Sequence, residues 1–461
     1  MINLNSKEKI DLKDKRISVI GLGLSGTEAA KLANHLGARV FASDPGTGKR
    51  VYSHAMDLMH SHHIASETGI HSDEIYDADL WIISPGVPKN SHIVKKAQDK
   101  NIPIVGEIEF ASWFTNAPII AITGSNGKTT TSYILSDMLK SNAVHSVLAG
   151  NMGIPFSERV LSEIKEPKNG ITYILEISSF QMEFVKHFSP NIIIYTNISP
   201  DHLDRHKSME EYVKMKLNAM KNLKQNDQII FNIDDKILSE TIPTNSNQVK
   251  PFSLINKDNL FYLHEDNIFG PAKNKLMTLK ELGIPGKHNL YNFLAAATCS
   301  HLMGISENHI IKTMRKFKGV EHRLEHVALL NEIEFINDSK ATNIESVIVA
   351  IEAFKKPLIL ILGGYNKGAN FRLLLPHIKS SHVRDVISYG EAGGHINTVL
   401  GDAVRSVQVT DLNSAVKKAR SMATPGDIVL LSPGCASFDE FPNFEIRGNY
   451  FKSMINNMEK A

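Results

Sequence analysis

The chain has 461 residues, of which 42% are hydrophobic and 22% are charged, and this composition excludes a disordered or fibrous protein. Lysine and arginine number 51 against 49 aspartates and glutamates, and no long basic run is present. The charge balance therefore excludes a strong electrostatic surface for nucleic acid or an anionic membrane, so any bound phosphate must be held locally.

The length predicts about three domains, each large enough to bury its own core. Only two cysteines occur, Cys299 and Cys435, which excludes a disulfide framework and a cysteine-rich metal site and indicates a reducing compartment. The first residues lack the apolar core of a signal peptide, and no apolar run approaches the roughly 20 residues of a membrane span. We therefore expect a cytoplasmic protein that acts as a monomer.

Short apolar runs alternate with amphipathic stretches along the whole chain. Such runs are typical of parallel strands that are covered on both faces, so the sequence predicts an α/β fold with binding sites at the carboxyl ends of the strands. The predicted strands are ISVIGLG, RVFASD, WIISPG, IIAITGS, HSVLAGN, YILEISS, NIIIYTN, QIIFNID, LILILGG, DVISYG and DIVLLSPG. Content separates three blocks, for which we predict domain boundaries of 1–107, 108–319 and 320–461.

The first block begins with the glycine turn GLGLSG at residues 21–26, directly after a strand. Asp44 ends the next strand about 20 residues later, and on residues alone this spacing predicts a dinucleotide site. Five of the histidines in this block lie close together in sequence, at positions 54, 60, 62, 63 and 71. They lack a matching pattern of carboxylates and cysteines, so we interpret them as a solvated polar surface.

The second block opens with AITGSNGKTTT at residues 121–131, where an apolar strand meets glycines, Lys128 and threonines before a predicted helix. Glycines allow backbone N–H groups to turn toward phosphate oxygens, and the helix N-terminus and Lys128 add positive charge. Thr129 or Thr130 can place a hydroxyl on Mg²⁺. The commonest phosphate loop would have glycine where this chain has Ile122.

Two later strand ends offer partners for a metal. Glu176 ends the strand in YILEISSFQME, and a carboxylate there would face the phosphate loop. His202 lies in ISPDHLDRH after the following strand, and it could bind a second metal or a substrate phosphate.

The segment SMEEYVKMKLNAMKNL at residues 208–223 predicts an amphipathic helix with lysines at 214, 216 and 221. Lysines on such a helix usually form a solvated face. Spacing alone selects none of the three.

Taken together and in order, these motifs resemble the Mur ligase family, the ATP-dependent amide-forming enzymes of bacterial peptidoglycan synthesis. The resemblance covers essentially the whole chain and rests on TGSNGKTT, GNMGIP, LEISSFQME, NISPDHLDRH, GKHNLYN, HRLE, NDSKATN, LGGYNKGANF and LSPGCASFDEFPNFEIRG. NDSKATN and the last of these most resemble the members that add D-glutamate to UDP-N-acetylmuramoyl-L-alanine. The family implies a Rossmann-like N-terminal domain for the uridine nucleotide, a central P-loop-type ATPase domain and a Rossmann-like C-terminal domain.

The resemblance also implies roles in the central domain. Lys128 and Thr129 would bind ATP phosphates, Thr130 and Glu176 the first of two Mg²⁺ ions, and His202 a second metal near the substrate. Lys216 matches the lysine that the family carbamylates with CO₂, which would replace a cation by an anion. The full set of residues implied for catalysis and ATP is Gly124, Asn126, Gly127, Lys128, Thr129, Thr130, His202, Lys216, Asn289, Asn292, Arg323, Asp338 and Lys340.

Two further sets complete the implied site. The family uses the glycine turn for the UDP diphosphate, so the residues implied for the UDP-linked substrate are Leu24, Ser25, Gly86, Asn151 and His202. Two carboxylates of D-glutamate need hydroxyl, ammonium and backbone donors. The positions implied for them are Thr342, Lys367, Ser437, Phe438 and Phe444.

The sequence leaves three alternative functions open. A nicotinamide-dependent oxidoreductase would use the glycine turn and Asp44 but would give the phosphate loop and Glu176 no role. A nucleotide switch would hydrolyse ATP without needing an amino acid. A sister ligase or a polyglutamate-adding relative would add a different amino acid, and NDSKATN argues against it.

Overall fold

The computed structural model describes residue 2 and residues 10–140, 144–151, 153–200, 203–284, 286–366, 369–380 and 382–459. The chain divides into two compact units. Unit 1 spans Met1–Phe317 and unit 2 spans Lys318–Ala461. The three-domain boundaries given above stay a prediction.

Unit 1 begins with a five-stranded parallel sheet of order β3-β2-β1-β4-β5, the order expected of a Rossmann-like fold. Its strands are β1 (Arg16–Ile20), β2 (Arg39–Asp44), β3 (Ala65–Thr68), β4 (Leu80–Ile83) and β5 (Ile104–Gly106). Its helices are α1 (Leu24–His35), α2 (Lys49–His62), α3 (His92–Asp99) and α4 (Glu107–Ser112).

A second parallel sheet follows, with the order β11-β10-β9-β6-β8-β7. Its strands are β6 (Ile119–Thr123), β7 (His145–Gly150), β8 (Ile171–Glu176), β9 (Ile192–Tyr195), β10 (Gln228–Asn232) and β11 (Val249–Phe252). The helices that alternate with them are α5 (Lys128–Leu139), α6 (Phe156–Lys165), α7 (Leu203–His206), α8 (Met209–Leu217) and α9 (Lys236–Thr241).

Unit 1 ends with a small antiparallel sheet, which no apolar run predicted, and two helices. These elements are β12 (Tyr262–His264), β13 (Asn267–Phe269), β14 (Lys275–Thr278), α10 (Lys287–Leu302) and α11 (Glu307–Lys316).

Unit 2 contains a six-stranded sheet of order β15-β16-β20-β17-β18-β19, parallel except for the antiparallel pair β15 and β16. Its strands are β15 (Glu325–Leu330), β16 (Ile333–Asn337), β17 (Leu358–Gly363), β18 (Val383–Tyr389), β19 (Arg405–Gln408) and β20 (Ile428–Gly434). Its helices are α12 (Ile344–Glu352), α13 (Leu375–Ser380), α14 (Gly393–Leu400), α15 (Leu412–Met422) and α16 (Phe444–Glu459).

The predicted α/β class is confirmed, and every apolar run predicted as a strand forms one in a parallel arrangement. Most of these strands are largely buried because helices pack on the parallel sheets, although β7, at a sheet edge, is mostly half-buried, and one continuous core extends through the first two sheets. The predicted helix at 208–223 is shorter: α8 ends at Leu217 and a single 3₁₀ turn, Asn218–Met220, follows. Within the described part of the chain, no helix combines the length and apolar character needed to cross a bilayer.

Candidate active site

The phosphate loop connects β6 to α5 and turns through two glycines with positive φ, 149° at Gly124 and 84° at Gly127. A Cβ at Gly124 would lie 2.0 Å from Thr196 Oγ1, and one at Gly127 would lie 2.3 Å from Asn292 Oδ1. Both positions therefore require glycine. The N–H groups of the first turn of α5 have no partners within the helix, and together with the helix dipole they form an anion-binding end.

Two residues after β9, which sequence reasoning did not single out, hold this loop in shape. Asn197 Oδ1 accepts from the Asn126 N–H at 2.9 Å, and its carbonyl accepts from the Ser125 N–H at 2.9 Å. Thr196 Oγ1 donates to the Asn126 carbonyl at 2.6 Å. The sequence offered one signal for these two residues, because they end the predicted strand NIIIYTN. In the structure this strand, β9, pairs with β6, which leads into the phosphate loop.

Lys128 lies on the first turn of α5 and folds back over the loop. Its ammonium donates to the carbonyl oxygens of Gly124 at 2.8 Å and Ser125 at 2.9 Å. A cation is thus held at the mouth of the loop, where phosphate oxygens would be bound.

Glu176, at the end of β8, receives hydrogen bonds on both carboxylate oxygens. Thr129 Oγ1 donates to Oε2 at 2.6 Å, and Asn151 Nδ2 donates to Oε1 at 2.9 Å. Glu176 and Thr129 are both at most 4% exposed. A carboxylate beside a hydroxyl is a set of hard oxygen ligands that fits Mg²⁺. Of the two candidate threonines, the structure places Thr129 in this contact with Glu176.

Lys216 is 2% exposed, so the interpretation of all three lysines as a solvated face is wrong for this one. Lys214 and Lys221 are exposed, as expected. The Lys216 ammonium donates to the Gly124 carbonyl at 2.8 Å and lies 4.7 Å from the centre of the Tyr212 ring. Tyr212 in turn shares a 3.0 Å hydrogen bond with Ser125 of the phosphate loop.

The two asparagines of GKHNLYN lie on α10, which packs against α5. Asn292 is buried behind the loop, and its Oδ1 accepts from Thr131 Oγ1 at 3.2 Å. Asn289 is half-buried, one turn earlier on the same helix. His202 lies outside the described residues.

A cleft of about 720 Å³ lies at the carboxyl edge of the first sheet. Leu24, Ser25 and Gly86, the residues implied for the UDP diphosphate, all line it. Asn151 does not line this cleft, because it lies at the end of β7 beside Glu176. The glycine turn and the segment after β4 thus form the two walls of one site.

Asp44 also lines the cleft, but its carboxylate already accepts two backbone hydrogen bonds. Oδ2 accepts from the Leu22 N–H and Oδ1 from the Gly46 N–H, each at 2.7 Å. The acid that a dinucleotide fingerprint would offer to a ribose therefore braces the glycine turn.

The five histidines between residues 54 and 71, all of them described, bind no common partner in the structure. His54 Nδ1 hydrogen-bonds the Leu22 carbonyl at 2.7 Å, and His71 Nδ1 lies 2.6 Å from Ser43 Oγ. Over the described residues, no group of three or more histidine, cysteine, aspartate or glutamate side chains could hold a metal. His71 does line the cleft, where burial lowers its pKa.

In unit 2, three adjacent parallel strands, β16, β20 and β17, end at one edge of the sheet. Thr342 follows the first, Ser437 and Phe438 follow the second, and Phe444 begins α16. Ser437 is buried, whereas Thr342 and Phe438 are exposed. Lys367, which follows the third strand, lies outside the described residues.

Asp338 is buried at this edge, directly after β16. Burial raises its pKa to about 7, against the opposing effects of the Ser432 hydroxyl and the Arg323 cation. Ser432 Oγ donates to Oδ2 at 2.8 Å, so the carboxyl group is held in one orientation. Lys340 lies nearby, its ammonium 5.6 Å from the centre of the Phe444 ring.

Arg447, on α16, is a buried cation that sequence reasoning did not find. Its guanidinium donates to Ser339 Oγ at 2.9 Å, to the Ser339 carbonyl at 2.8 Å, and to the carbonyls of Cys435 and Ala436 at 3.1 and 3.2 Å. It therefore ties the NDSKATN segment to the SPGCASF segment. The arginine was visible in NFEIRG, but nothing in the sequence indicated that it points inward.

Comparison with known proteins identifies the family. The Mur ligase middle domain matches residues 122–300, the glutamate ligase domain of Mur ligases matches 322–435, and the MurD N-terminal domain matches 16–93. The UDP-N-acetylmuramoylalanine–D-glutamate ligase of Christiangramia forsetii is 38% identical over 96% of this chain and 100% of its own length. That of Thermoanaerobacter pseudethanolicus is 40% identical over 97% and 99%. The chain belongs to the Mur ligase family.

Solved structures of Mur ligases share the fold at low sequence identity. The UDP-N-acetylmuramate–alanine ligase of Thermotoga maritima superimposes with a TM-score of 0.59 at 18% identity, over 96% of this chain and 100% of that one. The MurF ligase of the same organism, solved with ADP, gives 0.58 at 15% identity, over 100% and 98%. These similarities confirm the predicted Mur ligase architecture.

Among the residues that the Mur ligase resemblance implied, unit 1 brings one set together. Lys128 and Lys216 both donate to the Gly124 carbonyl of the phosphate loop. Thr129, which follows Lys128, and Asn151 both donate to Glu176. Leu24, Ser25 and Gly86 form a second group in the cleft.

Proposed function

We propose that this protein is an ATP-dependent ligase that joins D-glutamate to UDP-N-acetylmuramoyl-L-alanine through an acyl phosphate. The observation that carries the proposal is full-length similarity to UDP-N-acetylmuramoylalanine–D-glutamate ligases, at 38% and 40% identity in two of them. The match of residues 16–93 to the MurD N-terminal domain extends this similarity to the substrate-binding end of the chain. A sister ligase with another amino acid is less well supported.

ATP would be bound by the phosphate loop. Gly124, Asn126, Gly127, Lys128, Thr129 and Thr130 would hold its phosphates through backbone N–H groups, the Thr130 hydroxyl and the Lys128 ammonium. That ammonium is already held at the mouth of the loop by two carbonyls, so little reorganisation is needed when phosphate binds. We assign Asn289, Asn292, Arg323, Asp338 and Lys340 to the rest of the nucleotide.

Mg²⁺ fits the residues around Glu176. The buried carboxylate and the Thr129 hydroxyl that donates to it are the donors that this ion prefers. This contact favours Thr129 over Thr130 as the hydroxyl ligand of Mg²⁺. We therefore propose that Thr129 binds the metal ion and that the Thr130 hydroxyl binds an ATP phosphate. When bound, the ion would neutralise charge on the phosphate oxygens.

We propose further that Lys216 is carbamylated and, with His202, holds a second metal ion. The support is its burial, because a lysine that approaches the phosphate loop at Gly124 is placed where an anionic group could act on a metal. Carbamylation bonds the lysine nitrogen to the carbon of CO₂ with release of protons, so that an anion replaces the cation.

The UDP-linked substrate would occupy the cleft of the first sheet. Leu24, Ser25 and Gly86 would contact the diphosphate, and Asn151 would meet the distal part of the substrate near Glu176. D-glutamate would be held at the edge of the unit 2 sheet by Thr342, Lys367, Ser437, Phe438 and Phe444. Residues 1–107, 108–319 and 320–461 would then be the substrate, ATP and amino-acid domains, acting in the cytoplasm.

The reaction requires activation because a carboxylate does not form an amide usefully in water. A carboxylate oxygen of the L-alanine moiety attacks the γ-phosphorus of ATP, the bond to the β–γ bridging oxygen breaks, and ADP leaves. Lys128 stabilises the charge on the transferring group. The neutral amine of D-glutamate then attacks the acyl carbon, loses a proton and expels phosphate, which leaves the amide.

Amino-acid-dependent phosphate release from ATP tests the proposal. UDP-N-acetylmuramoyl-L-alanine is supplied, and D-glutamate, L-glutamate, L-lysine and diaminopimelate are offered separately. We expect release with D-glutamate alone, in equal amount with the amide. Release with another amino acid would overturn the substrate assignment, and release that needs none would indicate a nucleotide switch.

A further inference from the structure

An arginine on α7, the helix that follows β9 of the second sheet, contacts the rim of the substrate cleft. Gly86 and Val87 line the cleft. Arg205, on α7, donates from Nη1 to the Gly86 carbonyl at 3.3 Å and from Nη2 to the Val87 carbonyl at 3.1 Å. Two consecutive peptide groups of the cleft wall are thus fixed by one guanidinium.

The same guanidinium is anchored on its other side by the LEISSFQME segment. Glu183, whose side chain is 1% exposed, accepts from Nε at 3.3 Å and from Nη2 at 2.9 Å. The guanidinium also lies 4.5 Å from the centre of the Phe180 ring. A forked, planar cation can satisfy a carboxylate and two carbonyls at once, which a lysine ammonium cannot do with the same geometry.

The next residue continues these contacts to the phosphate loop. His206 Nε2 lies 2.9 Å from Ser179 Oγ, and its ring stacks on Phe180 with centroids 5.3 Å apart. On its other side the ring lies 5.4 Å from that of Tyr212. Tyr212 is hydrogen-bonded to Ser125 of the loop, so packed side chains connect the cleft rim with the ATP end of the site.

We propose that Arg205 is a positioning residue for the ligase reaction: it sets the place of the UDP-linked substrate relative to the phosphate loop by fixing the Gly86–Val87 wall of the cleft. This inference rests on the proposed function. Phosphoryl transfer requires the attacking carboxylate in line with the γ-phosphate, so a small displacement of this wall impairs both substrate binding and the transfer step.

The test compares Arg205→Met with a matched control, Lys89→Met. Lys89 lies two residues beyond the wall, forms an ion pair with Glu211 of α8 and does not line the cleft. Both variants therefore lose one tie between the segment after β4 and the region of α7 and α8, and only the first loses the contacts to Gly86 and Val87. The readouts are the KM values for UDP-N-acetylmuramoyl-L-alanine and ATP, and kcat.

We expect Arg205→Met to raise the KM for the UDP-linked substrate roughly tenfold and to lower kcat, while the KM for ATP changes less than about twofold. Lys89→Met should leave all three near wild type. A KM for the UDP-linked substrate that is equal in the two variants would overturn the proposal. Loss of folded protein alone would lower the apparent kcat and leave both KM values unchanged.

Two further variants distinguish a positioning role of Arg205 from a folding defect. Arg205→Met leaves the buried Glu183 without its cation, so Arg205→Met/Glu183→Gln should recover thermal stability and keep the raised KM. Arg205→Lys retains a charge beside Glu183 and should also raise this KM. If both turn over with wild-type KM, the positioning role is wrong. If wild type itself shows no D-glutamate-dependent release, the proposed function fails, whatever the variants do.

Discussion

Lys128 and Lys216 donate to the same carbonyl oxygen, that of Gly124, each at 2.8 Å. One ammonium comes from the helix that follows the phosphate loop and the other from α8, a separate element of the same unit. Like charges that converge on one acceptor repel each other unless an anion lies nearby. The arrangement suits a site that binds a polyanion, and it also favours conversion of one lysine to an anionic carbamate.

Replacing Lys128 by methionine should lower turnover by about 10² to 10³-fold, because the transferring phosphoryl group loses its held cation. D-glutamate-dependent phosphate release measures the effect. Lys140→Met is the control, since Lys140 caps the C-terminus of the same helix with an exposed side chain paired to Asp137. Activity of Lys128→Met above a few per cent of wild type would remove Lys128 from this role.

Lys216→Ala should be inactive and should regain part of its turnover in formate or acetate. These small carboxylates fit the space left by the side chain and can supply the oxygens of the carbamate. Lys214→Ala, on the exposed part of the same helix, should keep wild-type activity without any addition. Failure of rescue, together with unchanged wild-type activity after removal of CO₂, would contradict the carbamate.

Thr129→Val should raise the Mg²⁺ concentration needed for half-maximal activity by about tenfold, because a hydroxyl hydrogen-bonded to Glu176 is lost without a change of shape. Thr130→Val is the matched control, one position along the same helix, and should raise this Mg²⁺ concentration less. A larger shift in Thr130→Val would return the metal role to Thr130.

Parallel strands and the phosphate loop could be predicted because each depends on residues that are adjacent in the sequence. Strands such as β6 and β17 are buried on both faces and read as unbroken apolar runs. β16 was not predicted, since Glu334 interrupts its apolar run. The threonines were ambiguous for a different reason: only the course of the helix decides which hydroxyl meets Glu176.

Residues that act through burial could not be predicted from spacing. Lys214 and Lys216 are two residues apart and therefore lie on different faces of α8, but a lysine is usually solvated on either face, and it is the packing of α8 on the phosphate loop that buries Lys216. The family resemblance selected Lys216, but the residues alone did not. Arg205 and Arg447 were missed because most of their partners are backbone carbonyls, which no sequence motif indicates. Glu183 was missed because its partner is Arg205.

Thr342→Ala should raise the KM for D-glutamate several-fold and change that for ATP less, because Thr342 lies on the exposed sheet edge assigned to the amino acid. Lys367→Ala should act in the same direction. Thr398→Ala, on the exposed face of α14, serves as the control in unit 2. An effect on the KM for ATP that exceeds the effect on the KM for D-glutamate would reassign this edge to the nucleotide.

A buried carboxyl group in unit 1 should make stability fall as pH rises from about 4.5 to about 7. Glu107 is 2% exposed, and burial raises its pKa to about 7, although the Ser157 N–H donates to Oε1 at 2.6 Å. An unfolded glutamate titrates near 4.5, so between that pH and 7 the folded state holds the extra proton. Stability is therefore lost as pH rises across this window, by up to about 3 kcal/mol above it.

Glu107→Gln stays neutral at every pH and keeps an oxygen to accept from the Ser157 N–H. The variant should match wild type near pH 4 and exceed its free energy of unfolding by up to about 3 kcal/mol at pH 8. Urea unfolding of both proteins at several pH values measures the difference, in which the titration of all other groups cancels. Glu166→Gln, at the exposed end of α6, should show no such trend. A difference that stays constant from pH 5 to 8 would mean that Glu107 is ionised in the folded protein throughout.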